Sequence, residues 1–176
     1  MSERPGPTIP TLPPIPDTAP TLRACLIALG GSRFAVDVRS AREVAVFEEM
    51  TRVPRAPRHL VGVANLRGTV MPIVDARGLL GCLPEVRPAR SVRTLVLRDG
   101  AMQAAVVVDA VLGLEPFDEV IPDGSPGAAR ARGPRPFVAS WLSWAGETVP
   151  LLDVPRLLAA LRVCTGEPVA AHGEPA

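Results

Sequence analysis

The chain has 176 residues, 47% hydrophobic and 21% charged, with a formal net charge of +1. That balance suits a globular domain with a real apolar core; it excludes a general electrostatic grip on nucleic acid, and the apolar runs are far too short to span a membrane. Tyrosine is absent and aromatics make up 3%, so the core must be Val, Leu, Ile and Ala.

Residues 1–20 carry prolines at Pro7, Pro10, Pro13 and Pro16. A three-residue period suits polyproline II, and the tail reads as a stiff spacer or as a ligand for a proline-binding domain. No Lys/Arg-then-apolar signal pattern opens the chain, which predicts no export. From Thr21, "LRACLIALGGSRFAVDV" reads as a hairpin turning at Gly30 and Gly31, and "AREVAVF" as a third strand with an apolar edge beside Glu43. "TRVPRAPRHL" is a basic connector with one helical turn expected near His59. "VGVANLRGTVMPIVD" predicts two strands turning near Arg67 and Gly68. Pro72 cannot donate to a ladder, so its strand is expected at an edge or bulge. Asp75 is placed to cap a short helix over "ARGLLG", which Gly78 weakens.

After a second connector, "VRTLVLRDGAMQAAVVVDAVLGLEPF" predicts strand, Asp-Gly turn and strand. "IPDGSPGAARARGPRP" reads as a solvated loop, with Arg130, Arg132 and Arg135. The last block predicts two strands and a C-terminal helix, with Asp153 as N-cap and Pro155 in the first turn. Trp141 reads as core and Trp144 as lying by the turn. Residues 163–176 read as a flexible tail.

The most informative feature is internal. Leu60–Leu80 aligns without a gap on Val138–Leu158: Gly68 meets Gly146, Pro72 meets Pro150, Asp75 meets Asp153. Upstream, "FAVDVRSAREVAVF" and "AAVVVDAVLGLEPF" share an outline. The reading is mainly β, with two copies of one small unit of about five strands. The expected domain is 21–162, with subdomains 21–85 and 90–158.

Asn65-Leu66-Arg67-Gly68, with its "TR-x-P-x-A-P" lead-in and "V-x-P-I-V-D" continuation, resembles the CheW-like proteins, scaffolds of bacterial chemotaxis arrays. The resemblance runs from about Thr21 to Arg162. It implies two SH3-like five-stranded β-barrels on a shared core, with neither catalysis nor cofactor. It implies two partners, the regulatory domain of a CheA-like histidine kinase and the cytoplasmic tip of methyl-accepting chemoreceptors, and a cytoplasmic location at receptor arrays. By position, Arg67 takes the family's coupling arginine, with Asn65 in the same motif, while Glu43, Ala41 and Val38 fall in a kinase-contact strand. Ala41 stands where a larger apolar residue is common, and the Pro-rich tail and the Arg130–Arg135 loop are additions. A scaffold of a motility or developmental pathway fits the same pattern.

Chemistry leaves two roles open for Arg67. Its planar fork of five donors either holds its own turn or shapes a partner surface. An enzyme is disfavoured: Cys25, Cys82 and Cys164 form no C-x-x-C pair, His59 and His172 are far apart, and no phosphate loop or metal-binding helix motif occurs. The thiols read as reduced. An independent SH3-like peptide-binding module is disfavoured by the shortage of aromatics, which usually line such grooves.

Overall fold

A computed structural model describes residues 22–82, 92–117, 119–122 and 136–164. The strands are β1 (Leu22–Leu29), β2 (Ser32–Asp37), β3 (Ala41–Phe47), β4 (Leu60–Leu66), β5 (Thr69–Val74), β6 (Val92–Asp99), β7 (Met102–Val107), β8 (Ala110–Phe117), β9 (Glu119–Pro122), β10 (Val138–Trp144) and β11 (Glu147–Leu152). One helix follows, α1 (Val154–Cys164).

Two-residue hairpins set the local frame. Gly30 and Gly31, at φ 57° and 74°, supply the left-handed backbone between β1 and β2, and Gly100, at φ 55°, turns β6 into β7. Long-range pairing then sorts the hairpins into two sheets, ordered β8-β1-β2-β11-β10-β9 and β3-β6-β7-β5-β4. The third strand of each repeat crosses over: β3 pairs with β6, and β8 pairs with β1. The sheets therefore cross the boundary expected between 21–85 and 90–158, because each takes one two-stranded hairpin from the other half of the chain: β1–β2 joins β8–β11, and β6–β7 joins β3–β5. One sheet also has six strands rather than five, since β9 occupies the start of the segment expected to be loop.

Both sheets curl closed. Beyond β3, Thr51 bridges to Val63 on the opposite edge strand β4. In the larger sheet, β8 lies at one edge and β9, a single residue further along the chain, pairs with β10 at the other. Gly62 permits the first closure. A Cβ there would stand 2.7 Å from the carbonyl oxygen of Thr51, closer than any packed side chain tolerates.

Three apolar clusters follow from this geometry. One barrel is filled by residues including Phe47, Met71, Ile73 and Val96, the other by residues including Leu26, Ala35, Phe117 and Leu142. Between them lies a larger shared core with Phe34, Leu95, Val106 and Leu157; the expectation of a purely aliphatic core is corrected, since Phe34, Phe47, Phe117 and Trp141 are all buried. Strands β1 and β7 contribute to both a barrel interior and the shared core from alternate residues, which is why "LRACLIAL" and "AAVVV" are nearly continuous apolar runs. Cys25 lies in the shared core, where burial pushes its thiol pKa up.

Helix α1 forms as its signals predict. The Arg156 N–H donates to Asp153 Oδ1 at 3.0 Å, and the Leu157 N–H to the Asp153 carbonyl at 2.9 Å. Leu157, Leu158 and Leu161 face the shared core. The other two helical expectations are corrected. The chain near His59 makes turns, and "ARGLLG" makes turns closed by Leu80 N–H to Ala76 O at 2.9 Å and Cys82 N–H to Arg77 O at 2.8 Å. Pro72 is not on an edge strand, since β5 lies between β7 and β4; the alternative, a bulge, lies beside it, where the β4–β5 register shifts between Leu60 and Gly62 opposite Val74 and Ile73. The proline is tolerated because the parallel pairing with β7 begins only at Ile73. The tail 1–20, the arginines 130, 132 and 135, and the segment 165–176 lie outside the described residues.

Candidate functional site

The site begins at the turn between β4 and β5. Arg67 (φ 51°) and Gly68 (φ 87°) are both left-handed, the geometry of a two-residue type I′ loop. Asn65 closes it: its Oδ1 accepts the Gly68 N–H at 2.7 Å. Arg67 pays the steric cost that glycine avoids, about 1 kcal/mol for a left-handed L-residue, yet its side chain remains 79% exposed.

That side chain reaches the other edge of its own sheet. Arg67 Nη2 stands 2.8 Å from Glu43 Oε2 on β3. The two residues are distant in sequence, and the curl of the barrel brings them together. Glu43 is the less exposed partner, at 32%, so its carboxylate is held close to the strand. In an exposed pair such a bridge contributes about 0.2–1 kcal/mol. Its consequence is geometric: it spans the turn and the outer strand.

Strand β3 alternates. Ala41, Glu43 and Ala45 are half-buried, while Arg42, Val44 and Val46 face out. Val44 and Val46 are 48% and 56% exposed. The apolar edge expected beside Glu43 thus resolves into these two valines, which a run reading "VAVF" conceals until the strand's pleat is known. Ala41 packs partly against the shared core. Val38 is corrected: it lies in the turn between β2 and β3, not on the strand. Asp37 folds that turn, accepting the Arg39 N–H at 2.8 Å and the Arg39 guanidinium at 2.6 Å, and these bonds hold its carboxyl below the usual range. Val38 is left 42% exposed at the tip.

The structure therefore joins Arg67, Asn65 and Glu43 in one cluster, with Val44 and Val46 along the strand that carries Glu43. Strand β8, the counterpart of β3 in the other sheet, has the same alternation, with Leu112 and Leu114 45% and 55% exposed. Sequence reasoning missed this second face; its signal was the match of "AREVAVF" with "VLGLEPF". Trp141 is buried and Trp144 lies by its turn, with the Arg33 guanidinium 5.7 Å from the Trp144 ring centroid. Among the described residues no group of three His, Cys, Asp or Glu side chains is placed to hold a metal ion.

A second ionic cluster lies inside. Arg77 is 3% exposed and ion-pairs with both Asp75 and Asp109. Asp109 also accepts the Gly30 N–H at 2.6 Å. One guanidinium thus ties the end of β5 in one sheet, the β7–β8 crossover, and the β1–β2 turn of the other sheet.

Comparison with known proteins agrees with this architecture. The CheW-like domain matches residues 23–162. The probable chemotaxis protein CheW of Rhizobium etli is 36% identical over 94 residues, 53% of this chain and 60% of that protein. Protein FrzA of Myxococcus xanthus is 32% identical over 136 residues, 76% of this chain and 83% of that one. The chain spans little more than half the length of several of its curated relatives. The scaffolding protein TtCheW from Thermoanaerobacter tengcongensis shares the fold, with a TM-score of 0.64 at 20% identity over 75% of this chain and 88% of that one. With paired barrels, a shared core and a family match over nearly all the described residues, this chain belongs to the CheW-like domain family.

Proposed function

We propose that this chain is a non-catalytic coupling adaptor, bridging a CheA-like histidine kinase and the cytoplasmic tip of methyl-accepting chemoreceptors. The observation that carries the reading is the Arg67–Glu43 ion pair. The residue assigned to receptor–kinase coupling and the residue assigned to the kinase-contact strand meet on a barrel edge. Beside it, Val44 and Val46 offer the exposed aliphatic surface that a barrel of the kinase regulatory domain would cover.

The adaptor acts by binding. A receptor shifts the kinase between active and inactive populations only where its contacts through the adaptor differ between those states. Arg67 stands where such a difference can be transmitted, because displacing its side chain releases Glu43 on β3. Each contact need bury no more than about 1,200 Å² when many are arrayed together. No helix of the described residues is long and apolar enough to cross a membrane. The reading places the chain in the cytoplasm, joined to receptor arrays through its partners.

A second reading keeps the same surfaces and changes the output: a scaffold of a motility or developmental pathway. The match to protein FrzA over 76% of the chain supports it.

The test is a reconstituted ternary assembly of receptor fragment, kinase and this chain, with kinase autophosphorylation as readout. Arg67→Ala is expected to leave the circular-dichroism spectrum unchanged and to abolish receptor control of the kinase. A variant that unfolds would make Arg67 structural and remove it from the site.

A further inference from the structure

Most charged side chains of the barrels are satisfied within the fold. Arg33, Arg39, Arg67 and Arg77 each hold a carboxylate. The loop between β3 and β4 carries three arginines that are not so satisfied, beside the exposed Glu48 and Glu49. Arg52, Arg55 and Arg58 are exposed, and none has a hydrogen bond, ion pair or ring contact among the described residues. Arg52 and Arg58 line an open surface depression of about 450 Å³, together with residues including Val53, Pro57, Val61 and Asp75.

The loop is held in shape. At one end Thr51 and Val63 exchange backbone hydrogen bonds of 2.8 and 2.9 Å; at the other the Asp75 N–H donates to the His59 carbonyl at 2.7 Å. Pro54 and Pro57 fix φ between those anchors. Unpaired guanidinium groups on a pinned backbone lower the ordering cost of binding an anion.

We propose that this depression is a recognition site for an acidic segment of a partner protein. Carboxylates would sit on the Arg52–Arg58 rim and apolar side chains against Val53, Pro57 and Val61. The apolar side chains of Val53, Pro57 and Val61 interleaved with the arginines suit a peptide that carries both acidic and apolar groups. The site lies apart from the Arg67–Glu43 pair and does not depend on the receptor and kinase assignment.

The experiment is an NMR titration of the full chain with the acetylated peptide Leu-Glu-Glu-Leu-Glu-Glu, its Gln-for-Glu counterpart, and inorganic pyrophosphate. The Glu peptide is expected to shift the Val53, Ala56 and Val61 amides saturably, and more weakly as salt rises. The Arg52→Gln/Arg58→Gln variant should lose about tenfold in affinity, with its remaining amide spectrum as the control for folding. Equal binding of the Gln peptide, shifts confined to other surfaces, or unchanged affinity in the double variant would overturn the proposal. Saturable pyrophosphate binding at this loop without peptide binding would overturn the occupant and indicate a small phosphorylated ligand.

Discussion

Residues 59–80 and 137–158 are two copies of one unit, and the structure shows which features the fold copies and which it leaves free. The turns match: Arg67-Gly68 at φ 51° and 87°, Ala145-Gly146 at 49° and 79°. The closing bonds match, with Asp75 N–H to His59 O at 2.7 Å and Asp153 N–H to Phe137 O at 2.8 Å. Pro72 and Pro150 each precede the residue where parallel pairing begins, Ile73 with Ala105 and Leu151 with Ala35. The frame is therefore set by backbone geometry that both sequences satisfy. Side chains that differ at matched positions are released from that duty. Ala145 adopts the same left-handed backbone as Arg67, so the turn does not require an arginine. Arg67 is there for what its guanidinium reaches, and within the chain that is Glu43.

Beyond the shared Asp the copies diverge. The second has Val154-Pro155-Arg156 and forms an 11-residue helix. The first has Ala76-Arg77-Gly78 and forms only turns. Gly78 costs a helix about 1 kcal/mol, Gly81 adopts φ 67° and stops it, and the Arg77 guanidinium is directed inward to Asp75 and Asp109.

The largest expected effect tests this divergence. Arg77→Met strands two carboxylates near a buried position and should cost about 3 kcal/mol, read by chemical denaturation. Pro155→Ala at the matched position should change stability by less than 1 kcal/mol, roughly the scale of a surface substitution. Equal effects would show that the inner ion cluster does not distinguish the copies. Asp153→Ala removes the helix cap and should cost about 1 kcal/mol, visible as lost helical ellipticity and a lower melting temperature.

A pH prediction follows from His59, which stands where the other copy has Phe137. Its Nε2 is buried with no hydrogen-bond partner among the described residues, and burial holds its pKa below the ordinary 6.5. The unfolded chain therefore takes up this proton before the folded chain does. The stability this confers is present above pH 6.5 and is lost as pH falls through the folded value. His59→Phe should flatten that part of the stability–pH curve; an unchanged slope would place the acid sensitivity elsewhere. Smallest of all, Arg67→Ala should alter stability by no more than about 1 kcal/mol while impairing coupling.

How much of this was legible follows the range of the interactions. Gly30-Gly31, Arg67-Gly68 and Asp99-Gly100 announce their hairpins because turn chemistry is local. Asp153 and Pro155 announce the helix for the same reason, and the repeat is visible as text. The exchange of the β1–β2 and β6–β7 hairpins between the sheets is not, because a strand's own residues do not encode which distant edge it joins. The Arg67–Glu43 contact is hidden likewise: it exists only after the barrel closes through Thr51 and Val63. Val38 falls outside the strand because the Asp37 carboxylate folds the chain back on Arg39 before β3 begins. Arg77 reads in sequence as an ordinary helix residue; only the arrival of Asp109 from the crossover makes it internal.

The most direct test of the account is calorimetric titration of this chain with the regulatory domain of the kinase from its own source, using wild type and Glu43→Arg. The account predicts saturable binding that Glu43→Arg weakens at least about tenfold, on the scale of one lost charge-assisted contact, with an unchanged circular-dichroism spectrum. Unchanged affinity in the variant, or no binding by well-folded wild type, would contradict it.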